Sequence, residues 1–343
     1  MKKSKLYIFF LLLVISFSFI TSCNVCDDNT GDISQEAPNI IFTAFLGNNQ
    51  DIGIFEISKY GLNLSQIIGE GKLGASKSDV FSYTSSDENT DTLFVFDGST
   101  LKIIVSYFPD RIINPVISKV SNEIFYNEGN GNLINVDKNG SLELVSSKYF
   151  IKSNHKLSNN EDKLQYFEND NGLYIVIIDM SNKVLNQKKI DEFFEIDELN
   201  LECDWSDDDT KILFTGKKFG ENVIVEYSLS SDSFEYIQTK GLVAINPIYL
   251  KDTHILFTNM TGELWVYDKE KENFIVLNST FTNEKFIYND WSESNQMLIS
   301  HLVSDGIEEN SIYNFNLDFA ENTVKITQEL IISNKAVRAY WYK

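Results

Sequence analysis

A repeat of about 43 residues governs what this chain can fold into, because a period of that size fixes an architecture before any single segment is assigned. β-rich triplets recur at Ile40-Ile41-Phe42, Val80-Phe81-Ser82, Ile124-Phe125-Tyr126, Leu164-Gln165-Tyr166, Ile212-Leu213-Phe214, Ile255-Leu256-Phe257 and Met297-Leu298-Ile299. Their spacings are 40, 44, 40, 48, 43 and 42 residues. An alternating run follows each triplet, at 52–57, 92–96, 133–136, 173–178, 223–227, 264–267 and 312–317. Period-2 alternation of Ile, Val, Phe and Tyr between Asn, Asp, Gly and Ser turns marks strands, and amphipathic helical periodicity is nearly absent. Only four prolines interrupt the chain, which suits regular strand pairing.

Four short strands per unit is the content of a propeller blade. The expected fold is therefore all-β: a seven-bladed β-propeller, with six blades as the alternative. The first unit opens on its second strand, at 39–43, and the chain ends in a lone strand at 337–342. That C-terminal strand is expected to complete the first blade and remove an open edge.

The turn between first and second strands carries a motif. One copy reads Asp204-Trp205-Ser206-Asp207-Asp208-Asp209-Thr210-Lys211 and another Asp290-Trp291-Ser292-Glu293-Ser294-Asn295-Gln296. A third, Leu157-Ser158-Asn159-Asn160-Glu161-Asp162-Lys163, keeps the turn without the tryptophan. These resemble the WD40-like (PD40-type) repeat of TolB-like propellers, where Trp-Ser-Pro-Asp-Gly-Lys joins the two strands. The proline and glycine are missing here, but Asp and Asn tolerate the same left-handed backbone. The resemblance spans most of 113–343. It implies a fold and no activity, and no catalytic residue of peptidase-linked members maps onto this chain. Trp205 and Trp291 read as blade-packing residues.

The N-terminus gives an address. Lys2, Lys3 and Lys5 precede an apolar run at 6–20 that is short for a membrane span, and Ile20-Thr21-Ser22-Cys23 follows. That tetrad resembles a bacterial lipobox, which implies cleavage before Cys23 and acylation of it. The expected organisation is a lipoprotein signal peptide at 1–22, the lipidated cysteine and a polar tether at 23–38, and the propeller at 39–343. Asp27 and Asp28 behind the cysteine resemble the surface-export signal of Bacteroidetes lipoproteins. The expected location is the cell envelope, lipid-anchored, at the outer membrane.

Charge excludes one class of partner. Against 29 basic residues stand 50 acidic ones, a net charge of −21, which repels phosphate backbones. The three histidines, His155, His254 and His301, share no spacing, and the three cysteines show no zinc pattern. Cys203, inside a strand, reads as an inert buried thiol. Asp207-Asp208-Asp209 lacks the alternating ligands and distal Glu of a calcium loop. No nucleophile elbow or phosphate loop is present. The sequence thus predicts no catalytic residue, metal or cofactor.

One face is less bland. Loops between second and third strands share a side of a propeller with the links between blades. The long link at 189–198, which accounts for the 48-residue spacing, carries Phe193 and Phe194, and another at 281–286 carries Phe281 and Phe286. Phenylalanines rimmed by Asp, Glu and Asn have the composition of a recognition patch; the competing reading folds these rings over the blade edge. The functional expectation is a non-catalytic lipoprotein that binds or scaffolds a protein or glycan. The alternatives are a TolB-like periplasmic accessory subunit, or a propeller enzyme with carboxylates gathered at its channel.

Overall fold

A computed structural model describes residues between 39 and 342, almost continuously over 112–277 and mainly as strands on either side, with side chains covered up to 277. Cys23 and Phe281 lie outside the described residues, and of Phe286 only the backbone is described.

The strands of the described residues form seven antiparallel four-stranded sheets, numbered I to VII in chain order. Sheet III runs Ile112–Ile117, Ile124–Glu128, Leu133–Val136, Leu142–Ser146. Sheet IV runs Lys156–Leu157, Lys163–Asn169, Leu173–Asp179, Val184–Lys189. Sheet V runs Asp204–Trp205, Lys211–Lys218, Glu221–Ser228, Ser233–Gln238, and sheet VI begins at Ala244–Lys251. In sheet I the strand Ala336–Tyr342 pairs with Asn39–Phe45, placing Ile40 opposite Trp341. Contacts or shared hydrophobic clusters pass from each sheet to the next, and sheet VII meets sheet I through Met297–Ser304 and Ala336–Tyr342.

Burial shows which edge is inner. First and second strands are largely buried, whereas fourth strands such as Val184–Lys189 and Ser233–Gln238 are largely exposed. The first strands therefore line the axis. Each second strand sends alternate residues to opposite neighbours. Ile124 and Tyr126 pack toward Leu93 and Val95 on the strand Asp91–Phe96 of sheet II, while Phe125 packs toward sheet IV with Tyr149, Leu157 and Tyr166.

The all-β class holds, while the expectation of a seven-bladed propeller, with six blades as the alternative, is corrected by this architecture, whose sheets do not repeat one blade plan. The sheet count excludes six. First strands range from the two residues Asp204–Trp205 and Lys156–Leu157 to the eight of Ala244–Lys251. The physical reason lies in the turns. Ser206 and Ser158 hydroxyls take the amide protons of Lys211 and Lys163, and such local bonds compete with the ladder. In sheets III and VI, Asn114 and Asn246, each before a proline, sit at positive φ of 49° and 51° where the register shifts.

The turn motif bonds sheet to sheet. Trp205 is buried and its indole N–H reaches the carbonyl of Lys156 at 3.2 Å. Asp209, at φ 55° where the related repeat has glycine, accepts the backbone N–H groups of Asn159 and Asn160 at 2.6 and 2.9 Å. Charge-assisted bonds of this kind are stronger than neutral ones. They also engage the acidic turn: Asp208 Oδ1 accepts from the Ser206 and Thr210 hydroxyls at 2.7 Å each.

Candidate partner-binding site

The link from sheet IV to sheet V builds the site. Leaving the fourth strand of sheet IV, it passes the hairpin tip at Asn171-Gly172, and Ile190 N–H bonds the carbonyl of Leu173 at 2.8 Å. Gly172 has φ +148°, and a Cβ there would stand 2.5 Å from Lys189 Cε. Only glycine suits that conformation and approach. Phe193 and Phe194 amides both bond the carbonyl of Ile190 at 3.0 Å, and Glu195 then pairs with Lys217 of sheet V.

That tight turn sends two adjacent phenylalanines in opposite directions. Phe194 is 2% exposed and enters the core beside Phe214, Ile190 and Val223. The expectation that Phe194 stands exposed on a partner-binding patch is therefore corrected: its ring is built into the blade, edge-on to Phe214, Phe234 and Tyr236. Phe193 remains 47% exposed, tilted against Phe234 at 5.3 Å between centroids.

Three residues absent from the sequence expectation complete the cluster. The hairpin joining the second and third strands of sheet V turns on Phe219-Gly220, with φ of 54° and 79°. Two successive left-handed residues make a type I′ turn, normally Asn-Gly or Asp-Gly. A phenylalanine there is strained, and this one is 90% exposed. Tyr236, on the fourth strand, is 41% exposed. Between these rings lies Lys218, with Nζ 4.1 Å from the Tyr236 centroid, 5.3 Å from Phe194 and 5.8 Å from Phe219. Exposed Glu221 stands opposite Lys218 across the hairpin, and exposed Glu195 forms a backbone bridge with Lys217. A Phe-Gly at a two-residue hairpin was the signal available in the sequence.

The axis carries a different arrangement. The Asn114 side-chain amide donates to Asn154 Oδ1 at 2.5 Å, and Asn154 donates to Glu202 Oε1 at 3.1 Å, threading sheets III, IV and V. Nearby, Lys156 Nζ meets Asp204 Oδ1 at 2.5 Å, and Asp204 Oδ2 accepts the Tyr249 N–H at 2.8 Å. These carboxylates are held by amides, an ammonium and a backbone N–H, an arrangement that fixes sheets to one another. Among the described residues no group of three His, Cys, Asp or Glu side chains is placed to hold a metal. His155 is buried, with Nε2 3.1 Å from the Phe125 carbonyl; desolvation pushes its pKa down to about 4. In sheet VI, His254 stands 3.8 Å from Asp268, its cross-strand partner. The Cys203 thiol is buried against Gln165 Oε1, and desolvation pushes its pKa up.

No protein-family model matches the chain, and no curated protein matches it in sequence. Solved structures do match its fold. TolB from Acinetobacter baumannii superposes with a TM-score of 0.52 at 13% identity, over 89% of this chain and 83% of that one. A Lactobacillus plantarum protein gives 0.53 at 10% identity, over 89% and 99%. The dihydro-heme d1 dehydrogenase NirN, in complex with DHE, gives 0.57 at 8% identity, over 91% and 76%. At such identities the likeness establishes a TolB-like propeller fold and carries no chemistry, since one of these proteins is a dehydrogenase.

Proposed function

We propose that the chain is a non-catalytic envelope lipoprotein whose propeller captures a protein partner on the aromatic cluster of sheet V. The observation that carries this reading is Phe219: a bulky ring at positive φ on a hairpin tip, 90% exposed. Such a residue is unfavourable twice, through backbone strain and through solvent exposure, and strain of this kind concentrates at functional positions. Phe193 and Tyr236 beside it supply the rigid aromatic anchors that dominate interface energetics. Cys23, through its lipobox context, ties the propeller to the membrane of the envelope.

The test is capture from an envelope extract by the wild-type chain and by Phe219→Asn. Asparagine is the residue the turn prefers, so the variant keeps the fold while removing the anchor. Loss of a specific partner from the variant supports the reading, and identical partner lists overturn it.

A further inference from the structure

Lys218 sits in an otherwise acidic chain of net charge −21, yet among the described residues no carboxylate lies within ion-pair distance of its ammonium. Its Nζ faces three rings instead. Tyr236 at 4.1 Å, Phe194 at 5.3 Å and Phe219 at 5.8 Å form a wall, a floor and a lid. The floor is rigid because Phe194 is locked in the core by Phe214 and Phe234. Tyr236 and Phe219 are open to solvent. Aromatic faces arranged around one cation are the recognised way to bind ammonium and guanidinium groups.

We propose that these rings form a cage for a basic side chain of the partner, and that Lys218 occupies it in the free protein as a placeholder. The proposal rests on the docking reading above and names the chemistry of its ligand: an exposed Lys or Arg on a protein segment. Charge complementarity supports that occupant, since Glu221 stands opposite Lys218 across the hairpin and the chain's field of −21 steers cations toward it. An anionic ligand meets the opposite field, and a neutral glycan makes no use of the cation-binding arrangement. On binding, Lys218 swings out toward Glu221, its cross-strand partner in the hairpin.

The experiment is calorimetric titration of the full chain, at physiological salt, with a decapeptide alternating Lys and Gly. A Glu-Gly decapeptide and a neutral oligosaccharide serve as comparison ligands. Lys218→Ser opens the cage and should tighten Lys-Gly binding about fivefold. Lys217→Ser makes the same charge change one residue away and should alter binding less than twofold. Adding Tyr236→Leu to Lys218→Ser should abolish the gain; Phe219→Asn in the same background gives a second reading should the Tyr236 variant misfold. The proposal is overturned if Lys218→Ser binds no tighter than Lys217→Ser, if the gain survives both ring substitutions, or if only the oligosaccharide binds. Partner capture that depends on Phe219 but ignores Lys218→Ser would leave the docking site standing and sink the cage alone.

Discussion

Phe219→Asn should raise stability while it removes binding, and that opposition separates a functional residue from a structural one. An L-residue in the left-handed region costs roughly 1–2 kcal/mol, and Asn bears less of that cost than Phe. At φ 54° followed by Gly220 at 79°, the variant becomes the Asn-Gly turn that this hairpin geometry favours. Little is lost in exchange, because a ring 90% exposed buries almost nothing. Its contact with the Lys218 ammonium, at 5.8 Å and in solvent, contributes about 0.5 kcal/mol. The net expectation is a gain of about 0.5–1 kcal/mol, which raises Tm by roughly 1–3 °C in a domain of this size. Differential scanning calorimetry reads the shift, and capture from envelope extract reads the binding. A variant that melts lower than wild type would show that Phe219 packs within the fold, and the strain argument would fail with it.

Three further outcomes follow from the geometry. Gly172→Ala should destabilise by about 1–3 kcal/mol in urea unfolding, since φ +148° is closed to a residue with a Cβ and Lys189 already occupies the space. His155 is held neutral with its pKa near 4, below the ordinary 6.5, so the unfolded chain takes up the proton first. Stability is therefore full above pH 6.5 and falls as the pH drops toward 4, by about 3 kcal/mol, and His155→Gln should flatten that window in urea midpoints measured against pH. Cys23→Ala should leave the precursor uncleaved and free of acyl chains by mass spectrometry; a processed, membrane-bound variant would rule out the lipobox reading.

The strand repeat was legible because period-2 alternation survives any turn chemistry, and the unmatched strands at the two ends of the repeat pointed to one another. Ile40 opposite Trp341 is that pairing. Blade regularity was not legible. The Ile-Asn-Pro tripeptides at Ile113-Asn114-Pro115 and Ile245-Asn246-Pro247 look like turn formers, yet each bulges inside a first strand. Side-chain fate within the link was equally hidden. Phe193 and Phe194 have the same composition around them, and only the turn on the Ile190 carbonyl decides which ring goes in. Glu226 shows the same limit in the core. It lies 5% exposed on the third strand of sheet V, where Lys269 and the Tyr249 hydroxyl reach it at 2.8 Å. Burial works to raise its pKa, but those bonds hold it below the usual range.

Partners one period apart explain how so acidic a chain remains folded. Asn114 with Asn154, Lys156 with Asp204, Asn160 with Asp209 and Glu226 with Lys269 each join one sheet to the next. Carboxylates used in this way stabilise the ring instead of repelling across it. The exception to the period is the long link between sheets IV and V, and the candidate site forms there. Its additional residues let the chain cross the tip at Gly172, seat Phe194 in the core and bring Phe193 and Glu195 beside the Lys217–Phe219 hairpin. A regular unit of 43 residues would pass directly into the next first strand and present no such cluster. The position of the site is thus set by the largest irregularity in an otherwise repeating sequence, and shortening that link should remove the site while the sheets persist.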